Sequence, residues 1–401
     1  MVPSTRVSPR RAASAAAVAA VMVVASCGPA SSGRAPLGVN EVSILFPLPR
    51  TGTELGMLPL AYSQGERGEL LPRTVYDQLP LLLTFGGPNA IYYSLRVVSV
   101  RLDPCFPGIG PQGPAPCQTQ VRVVFQPITS GFDASMVAST DDAAIHAFYV
   151  VSRQELDAFA DGLSALKAQH GASGDRVTLG PHPIIERQGL SGPFADGVRS
   201  LLLRYAGAQN LRRVTFMTLE QFRLRWMFGG FDIAADQTLS PMLIPQTPSA
   251  TRQVFTNFDT TGGSFEHGEA SPASGSPEEL AAFFQSTTFR SLTAEQQRGA
   301  FRRTLTIENP TSHSPDTIDC VTCHVAPAAR VWAQRELGLQ PERETDRYFA
   351  DGARYASADE PQTSTIALRA FGYVGRTPTV SRRTVNESVL VLRALSADRD
   401  R

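Results

Sequence analysis

The sequence predicts an α+β fold, with an N-terminal mixed α/β-sheet domain over residues 41–260 followed by a mostly helical segment over 275–401. Three observations carry this reading. Alternating apolar and polar residues, such as Val121, Val123 and Phe125, mark half-buried strands in neighbouring hairpins. Leu156, Phe159, Leu163 and Leu166 recur at helical spacing behind a Ser152/Glu155 capping box, which sets a helix among those strands. Beyond a Gly-, Ser- and Pro-rich stretch from Gly262 to Pro277, strand patterns give way to helical ones. No internal repeat interrupts this order.

Residues 1–26 read as a secretory signal peptide: Arg6, Arg10 and Arg11 form a basic leader, and Ala15 to Ala25 a short apolar run ending in small residues. Val24-Ala25-Ser26-Cys27 resembles a bacterial lipobox, which implies a lipid-modified Cys27. An ordinary cleaved signal with a chance cysteine is the alternative. Arg10-Arg11 lacks the apolar continuation of a twin-arginine signal, so general secretion is expected. Residues 27–40 are rich in Ala, Ser, Pro and Gly, the composition of a tether.

From Glu41 the pattern turns globular, with Val42, Ile44 and Phe46 alternating as in a strand. Ile91 to Leu102 and Gln118 to Phe125 read as the arms of a hairpin around a loop, 106–116, in which seven residues are Gly or Pro. Such a loop suits neither helix nor strand, and its flanking Cys105 and Cys117 are placed to close the hairpin's mouth as a disulfide. Ala144 to Val151 is a strand running into the capped helix, which Gly171 ends. A second helix spans Pro193 to Tyr205, and Val214 to Met217 and Phe222 to Phe228 are strands. In the C-terminal segment, helices start at Ser276 and at Thr293, the second with a Gln296 box and an end at Pro310. An extended stretch from Thr311 to Asp319 follows, then a helix from Pro327 to Leu337 ended by Gly338, and a last helix capped by Thr384 and Glu387.

Lys and Arg together number 37, as do Asp and Glu, so no basic footprint for nucleic acid is present. After the leader, no apolar run is long enough to span a bilayer as a helix. The five cysteines are more informative than the charge. On the exported reading one is lipidated at Cys27, two form a disulfide at Cys105 and Cys117, and two remain at Cys320 and Cys323, immediately before His324.

Cys320-Val321-Thr322-Cys323-His324 has the spacing by which two thiols add across the vinyl groups of a haem while the following imidazole reaches the iron. Export is an independent requirement for such attachment. A plain disulfide with an idle His is one alternative, and a zinc site completed by His313 or His267 another. The region, over about residues 290–340, resembles the mono-haem domain of bacterial c-type cytochromes. That resemblance implies one covalent haem c, a proximal ligand at His324 and electron transfer with a redox partner protein.

One departure from that family matters. Many small cytochromes c place a distal Met downstream of the motif, yet neither Met nor His occurs after His324. The distal ligand must then come from upstream, another chain or solvent. His313 is the first candidate, because seven residues of extended chain before Cys320 could pass around a haem edge. His267, Met242 and Met227 follow. His146, beside Phe148 and Val150 on a strand face, and His182, between two prolines, read as structural. Trp332 reads as core, and Arg330 and Arg335 as exposed charge or propionate partners.

The function expected is one-electron transfer or redox sensing by a membrane-tethered, exported lipoprotein, on the periplasmic side or the outer membrane. Gly28, where an Asp would signal inner-membrane retention, favours the outer membrane. The competing classes are a peroxidase-like redox enzyme with an open distal site, and a structural or binding lipoprotein with an accessory haem segment.

Overall fold

The computed structural model describes residues 35–80, 87–104, 109–110, 113–114, 118–129, 138–140, 143–220, 225–247, 249–256, 286–315, 317–341, 355 and 368–397. The chain is α+β, as the sequence predicts. Its elements are α1 (Val39–Val42), β1 (Ser43–Leu45), α2 (Pro88–Ser94), β2 (Leu95–Asp103), β3 (Gln120–Thr129), β4 (Ala144–Val150), α3 (Arg153–His170), α4 (Pro193–Tyr205), β5 (Leu211–Glu220), β6 (Arg225–Ile233), β7 (Leu239–Pro241) and β8 (Arg252–Thr256). The C-terminal part adds α5 (Ala294–Ile307), α6 (Cys320–Leu337), β9 (Phe371–Val374), β10 (Thr377–Val380) and α7 (Arg382–Ala397).

Strands β1 to β7 lie side by side in chain order in one nine-stranded sheet, with β8 on β6 and the short strand Ser139–Thr140 on β3 completing it. Every ladder in it is antiparallel. Because side chains alternate along a strand and directly paired residues share a face, the register sorts the sheet into two surfaces. One carries Ser43, Arg101, Arg122, Val124, His146, Phe148, Thr215, Met217, Phe228 and Gln253. The other carries Val123, Ile145, Ala147 and Tyr149, all fully buried.

The second surface is the filled one. Tyr149 donates to the Leu70 carbonyl at 2.6 Å, and the small hairpin at 64–69 is joined to α4 by Glu66 N donating to Leu203 O at 2.8 Å. Helices α3 and α4 pack on each other through Phe159 and Tyr205, whose rings are 5.6 Å apart. Helix α3 begins where the capping box places it: Ser152 accepts from Glu155 N at 3.2 Å and Glu155 accepts from Ser152 N at 2.7 Å. At the edge, Glu41 is buried between Lys167, at 2.7 Å, and His182, at 3.6 Å. The single lysine of the chain, without evident meaning in the sequence, thus neutralises a buried carboxylate.

The first surface receives the C-terminal segment. Ser43 and Ser388 share a hydrogen bond of 2.7 Å, and Arg101 donates to Glu387 at 2.9 Å, tying α7 to β1 and β2. The β9–β10 hairpin is held by the buried Gln126, which accepts from Tyr373 N at 2.8 Å and donates to Tyr373 O at 2.9 Å. Gly372, with φ +151°, is required there, since a Cβ would come within 2.4 Å of the Gln126 amide oxygen. Residues 41–260 and 275–401, divided in the sequence by a Gly/Ser/Pro stretch that lies outside the described residues, belong to one compact unit, Arg34–Arg401, and share one apolar core.

Several local expectations are corrected. Val42 ends a helix, and only Ser43–Leu45 pair as a strand. The first arm of the hairpin starts at Leu95 because Pro88 at the head of α2 carries Ile91 and Tyr92 into a helix. Residues 109–110 and 113–114 of the Gly/Pro loop do pair. Residues 311–319 turn instead of extending, since the Asn309 side chain accepts from Thr311 N at 2.9 Å and Ser314 O accepts from Thr317 N at 3.0 Å. The last helix is capped by Ser381, which accepts from Thr384 N at 3.2 Å, not by Thr384. The start near Ser276 lies outside the described residues.

Candidate functional site

Helix α6 begins at Cys320, seven residues ahead of the expected Pro327, because Asp319 caps it: its carboxylate accepts from Thr322 N at 3.0 Å. The same oxygen accepts from Gln253 Nε2 at 2.9 Å, and Gln253 Oε1 accepts from Val321 N at 3.1 Å. Gln253 on β8 therefore pins the first turn of α6 to the sheet. In that turn Cys320, Cys323 and His324 stand at i, i+3 and i+4, the spacing that puts side chains on one helix face. Pro327 inside the helix leaves the Cys323 carbonyl without its helical donor. Gly338, at φ +66°, closes α6 in the left-handed conformation expected for it.

These three side chains form one wall of a cavity of about 200 Å³ between α6, α7, β9 and the open surface of the sheet. Apolar side chains in the lining include Val124, Phe148, Met217, Phe228 and Met242. Charged lining comes from Arg101, Arg122, Arg213 and Arg383 against a single carboxylate, Glu387. Glu387 lies 2.9 Å from Arg101 and 3.0 Å from Arg383, while Arg122 pairs with Asp103 and Arg213 with Asp232 at 2.6 Å. Burial alone would raise the Glu387 carboxyl, but Arg383, Arg101 and Arg122 hold it down to about 2.

The His324 imidazole has a forced tautomer. Its Nδ1 lies 2.8 Å from the Leu368 carbonyl, an acceptor only, so Nδ1 carries the proton and Nε2 keeps its lone pair. The Phe228 ring rests against it at 5.2 Å. Burial pushes its pKa down to about 4, so the ring is neutral at neutral pH. Burial, with Cys323 and Asp319 nearby, pushes the Cys320 thiol up to about 12, and burial raises Cys323 as well. Both cysteines are free and protonated here, because burial outweighs the lowering by Arg213 at Cys320 and by Arg383 at Cys323.

No family model matches the chain, and no match was found among curated proteins or solved structures. The reading of the site therefore stands on its residues.

The sequence-predicted residues divide as follows. Cys320, Cys323, His324 and Met242 meet at the cavity. His313 is not among the lining residues; its carbonyl accepts from Arg383 at 2.8 Å in the turn before α6. Met227 does not line the cavity either. Cys27, Cys105, Cys117 and His267 lie outside the described residues. Arg330 is fully buried 2.5 Å from Glu308 and away from the cavity, which corrects its reading as exposed charge. Trp332 is core, edge-on to Phe289 at 5.6 Å. His182 is buried and stacks on Phe194 at 4.5 Å, a structural role. Among the described residues no three His, Cys, Asp or Glu side chains converge as ligands of one metal ion.

The residue that sequence reasoning set aside is His146. It lines the same cavity from the centre of the sheet, opposite Val124 on β3 and Thr215 on β5. Its signal was present as a polar imidazole on the strand face that alternates with Ile145, Ala147 and Tyr149. Only the sheet order reveals that this face looks at the cysteines. The four arginines were likewise invisible as a group, since they come from β2, β3, β5 and α7.

Proposed function

We propose that the chain is an exported, lipid-anchored protein that carries one covalent haem c in this cavity and serves in one-electron transfer or redox sensing in the cell envelope. The observation that carries the reading is the placement of Cys320, Cys323 and His324 on one turn of α6, along the wall of one cavity. When bound, the haem supplies a one-electron iron couple.

The chain's own residues fit that group. Each thiol can add its S–H across a vinyl group, and both are protonated and partly accessible at the cavity wall. His324 offers Nε2, its ring held by the Leu368 carbonyl in the way that a second partner commonly orients a ligating imidazole. The surplus of guanidinium over carboxylate in the lining suits two propionates, and Phe148, Met217 and Phe228 suit an apolar ring face. The lipid on Cys27 and the short stretch after it would hold this body at a membrane, where a redox partner protein would meet the cavity mouth; the body itself begins by Ala35, whose carbonyl accepts from Ser164 at 2.6 Å, and not after residue 40. Among the described residues no helix is long and apolar enough to cross a membrane.

The test is a haem stain of the denatured protein, made with a periplasmic cytochrome c maturation system. Covalent haem survives denaturation, so a stained band at the chain's mass is expected. A colourless band, with Cys320 and Cys323 unmodified by mass spectrometry, overturns the reading. The anchor is checked separately: an acylated Cys27 is expected at the mature N-terminus, and Cys27→Ala should release the protein from membranes with its haem in place.

A further inference from the structure

Resting on the haem reading, we propose that His146 is the second axial ligand of the haem iron, so that the cavity binds the iron between an imidazole from the sheet and an imidazole from α6. The expectation of His313 is thereby replaced by a residue that the sequence places almost 180 positions before the motif.

The first argument is position. His146 and His324 line one cavity from its two layers, β4 and the first turn of α6. The second argument is orientation. His146 Nδ1 lies 3.3 Å from Thr215 Oγ1, directly across the β4–β5 ladder, and among the described residues its Nε2 has no hydrogen-bond partner. An imidazole fixed through Nδ1 and free at Nε2 is arranged as a ligand, as His324 is through Leu368. The third argument is cost. An imidazole among Val124, Phe148 and Phe228 gains less from burial than an apolar side chain would and gives up hydration for one long hydrogen bond. Packing does not explain it, whereas a metal bond would.

The other donors in the wall are weaker on the same criteria. Met217 is 1% exposed and packed in the apolar core. Met242 is in the irregular chain after β7, with only its backbone amide tied, to Gly230 O at 2.9 Å. A central strand holds a ligand more rigidly than such a segment does.

The experiment is electronic absorption and electron paramagnetic resonance of the matured, full-length holoprotein. Wild type should be low-spin with two imidazoles. His146→Ala should retain its haem on the denaturing gel yet become high-spin, and millimolar imidazole should restore the low-spin spectrum. Should His146→Ala fail to accumulate, His146→Met keeps the volume and should bring in the sulfur-to-iron charge-transfer band. An unchanged bis-imidazole spectrum in either variant, or a wild type that is already high-spin, overturns the assignment of His146. His313→Ala should leave the spectrum as it is; conversion of that variant to high-spin also overturns the proposal. A wild type without covalent haem is a different failure, that of the haem reading itself, and the gel reports it before any spectrum is taken.

Discussion

Alternate residues of β4 meet opposite fates. Ile145, Ala147 and Tyr149 are fully buried on the surface that α3 and α4 serve, while His146 and Phe148 are partly buried on the surface facing α6. On the first side, side chains fill the space, and the buried Tyr149 and Glu41 have partners. On the second side the layers are clamped at their margins, by Gln253–Asp319, Ser43–Ser388 and Gln126–Tyr373, around space that side chains leave empty. A close-packed interior excludes such space unless something keeps it open. One sheet therefore separates a filled surface from a surface that borders a cavity.

The largest expected effect follows directly. Cys320→Ala with Cys323→Ala should remove covalent haem completely, since among the described residues no other cysteine lines the cavity, while the far-ultraviolet circular dichroism stays that of the wild type. Haem staining reads the first outcome. Residual stain in the double variant would mean that attachment does not depend on α6.

The comparison is then broken by matched truncations. Phe159→Ala empties a fully buried site on the filled side and should cost about 3–5 kcal/mol in denaturant unfolding. Phe148→Ala enlarges space that already exists and should cost only about 1 kcal/mol in the haem-free chain. Equal losses would mean that the cavity surface is packed as tightly as its opposite.

How much of this was legible in the sequence depends on whether the cause is local. The Ser152 and Thr293 capping boxes, Pro193 at the head of α4, Gly338 at the end of α6 and the β2–β3 pairing all follow from short-range chemistry and appear where the pattern puts them. So does the common face of Cys320, Cys323 and His324. What was not legible was set by long-range contacts. The partners of His146 are 69 and 22 residues away along the chain, at Thr215 and Val124, and Arg383 reaches the cavity from the final helix. The start of α6 was missed because its cap, Asp319, looked like part of an extended stretch until Gln253 on the sheet held it. The composition break at 262–277 suggested a domain boundary, yet Gln253 and Asp319, on either side of it, are hydrogen-bonded.

The edge of the filled side should show itself in acid. Burial would raise Glu41, but His182 and Lys167 hold it at about 2, against an ordinary 4.5. A carboxyl lowered by folding stabilises above its unfolded pKa, and that stability is lost as the pH falls from about 4.5 to about 2. The full loss is about 3 kcal/mol at about 1.4 kcal/mol per pKa unit. Glu387, also held at about 2, contributes in the same window from the cavity side. Unfolding free energy against pH should therefore have a shallower acid limb in Glu41→Gln than in wild type; an identical limb would show that the pair with Lys167 contributes nothing.

A disulfide between Cys105 and Cys117 would act on neither surface but at the mouth of the β2–β3 hairpin. The last ladder pair described there is Asp103 with Gln120, so the two cysteines follow and precede antiparallel neighbours by two and three residues. Peptide mapping without reductant should recover one linked species from exported protein. Loss of both thiols by substitution should cost about 2–3 kcal/mol for so short a loop. Free thiols at both positions would refute the pairing.

The smallest effect sharpens the comparison most, because the same device occurs on both sides. Ser152 caps α3, and Thr293 caps α5 with an identical reciprocal pair: Thr293 accepts from Gln296 N at 3.3 Å and Gln296 accepts from Thr293 N at 3.0 Å. Each cap should contribute about 1 kcal/mol, so Ser152→Ala and Thr293→Ala make equal and local perturbations on opposite sides of the sheet. If the two layers unfold as one cooperative body, both variants shift a single denaturant transition by the same amount, with an unchanged slope. If the C-terminal layer is a separate domain, Thr293→Ala moves only part of the signal and leaves the remainder at the wild-type midpoint. The shared core and the Gln253–Asp319 clamp favour the first outcome. Removing the clamp with Gln253→Ala should bring out the second, since α6 would then lose its hydrogen bonds to the sheet while both capping boxes remain intact.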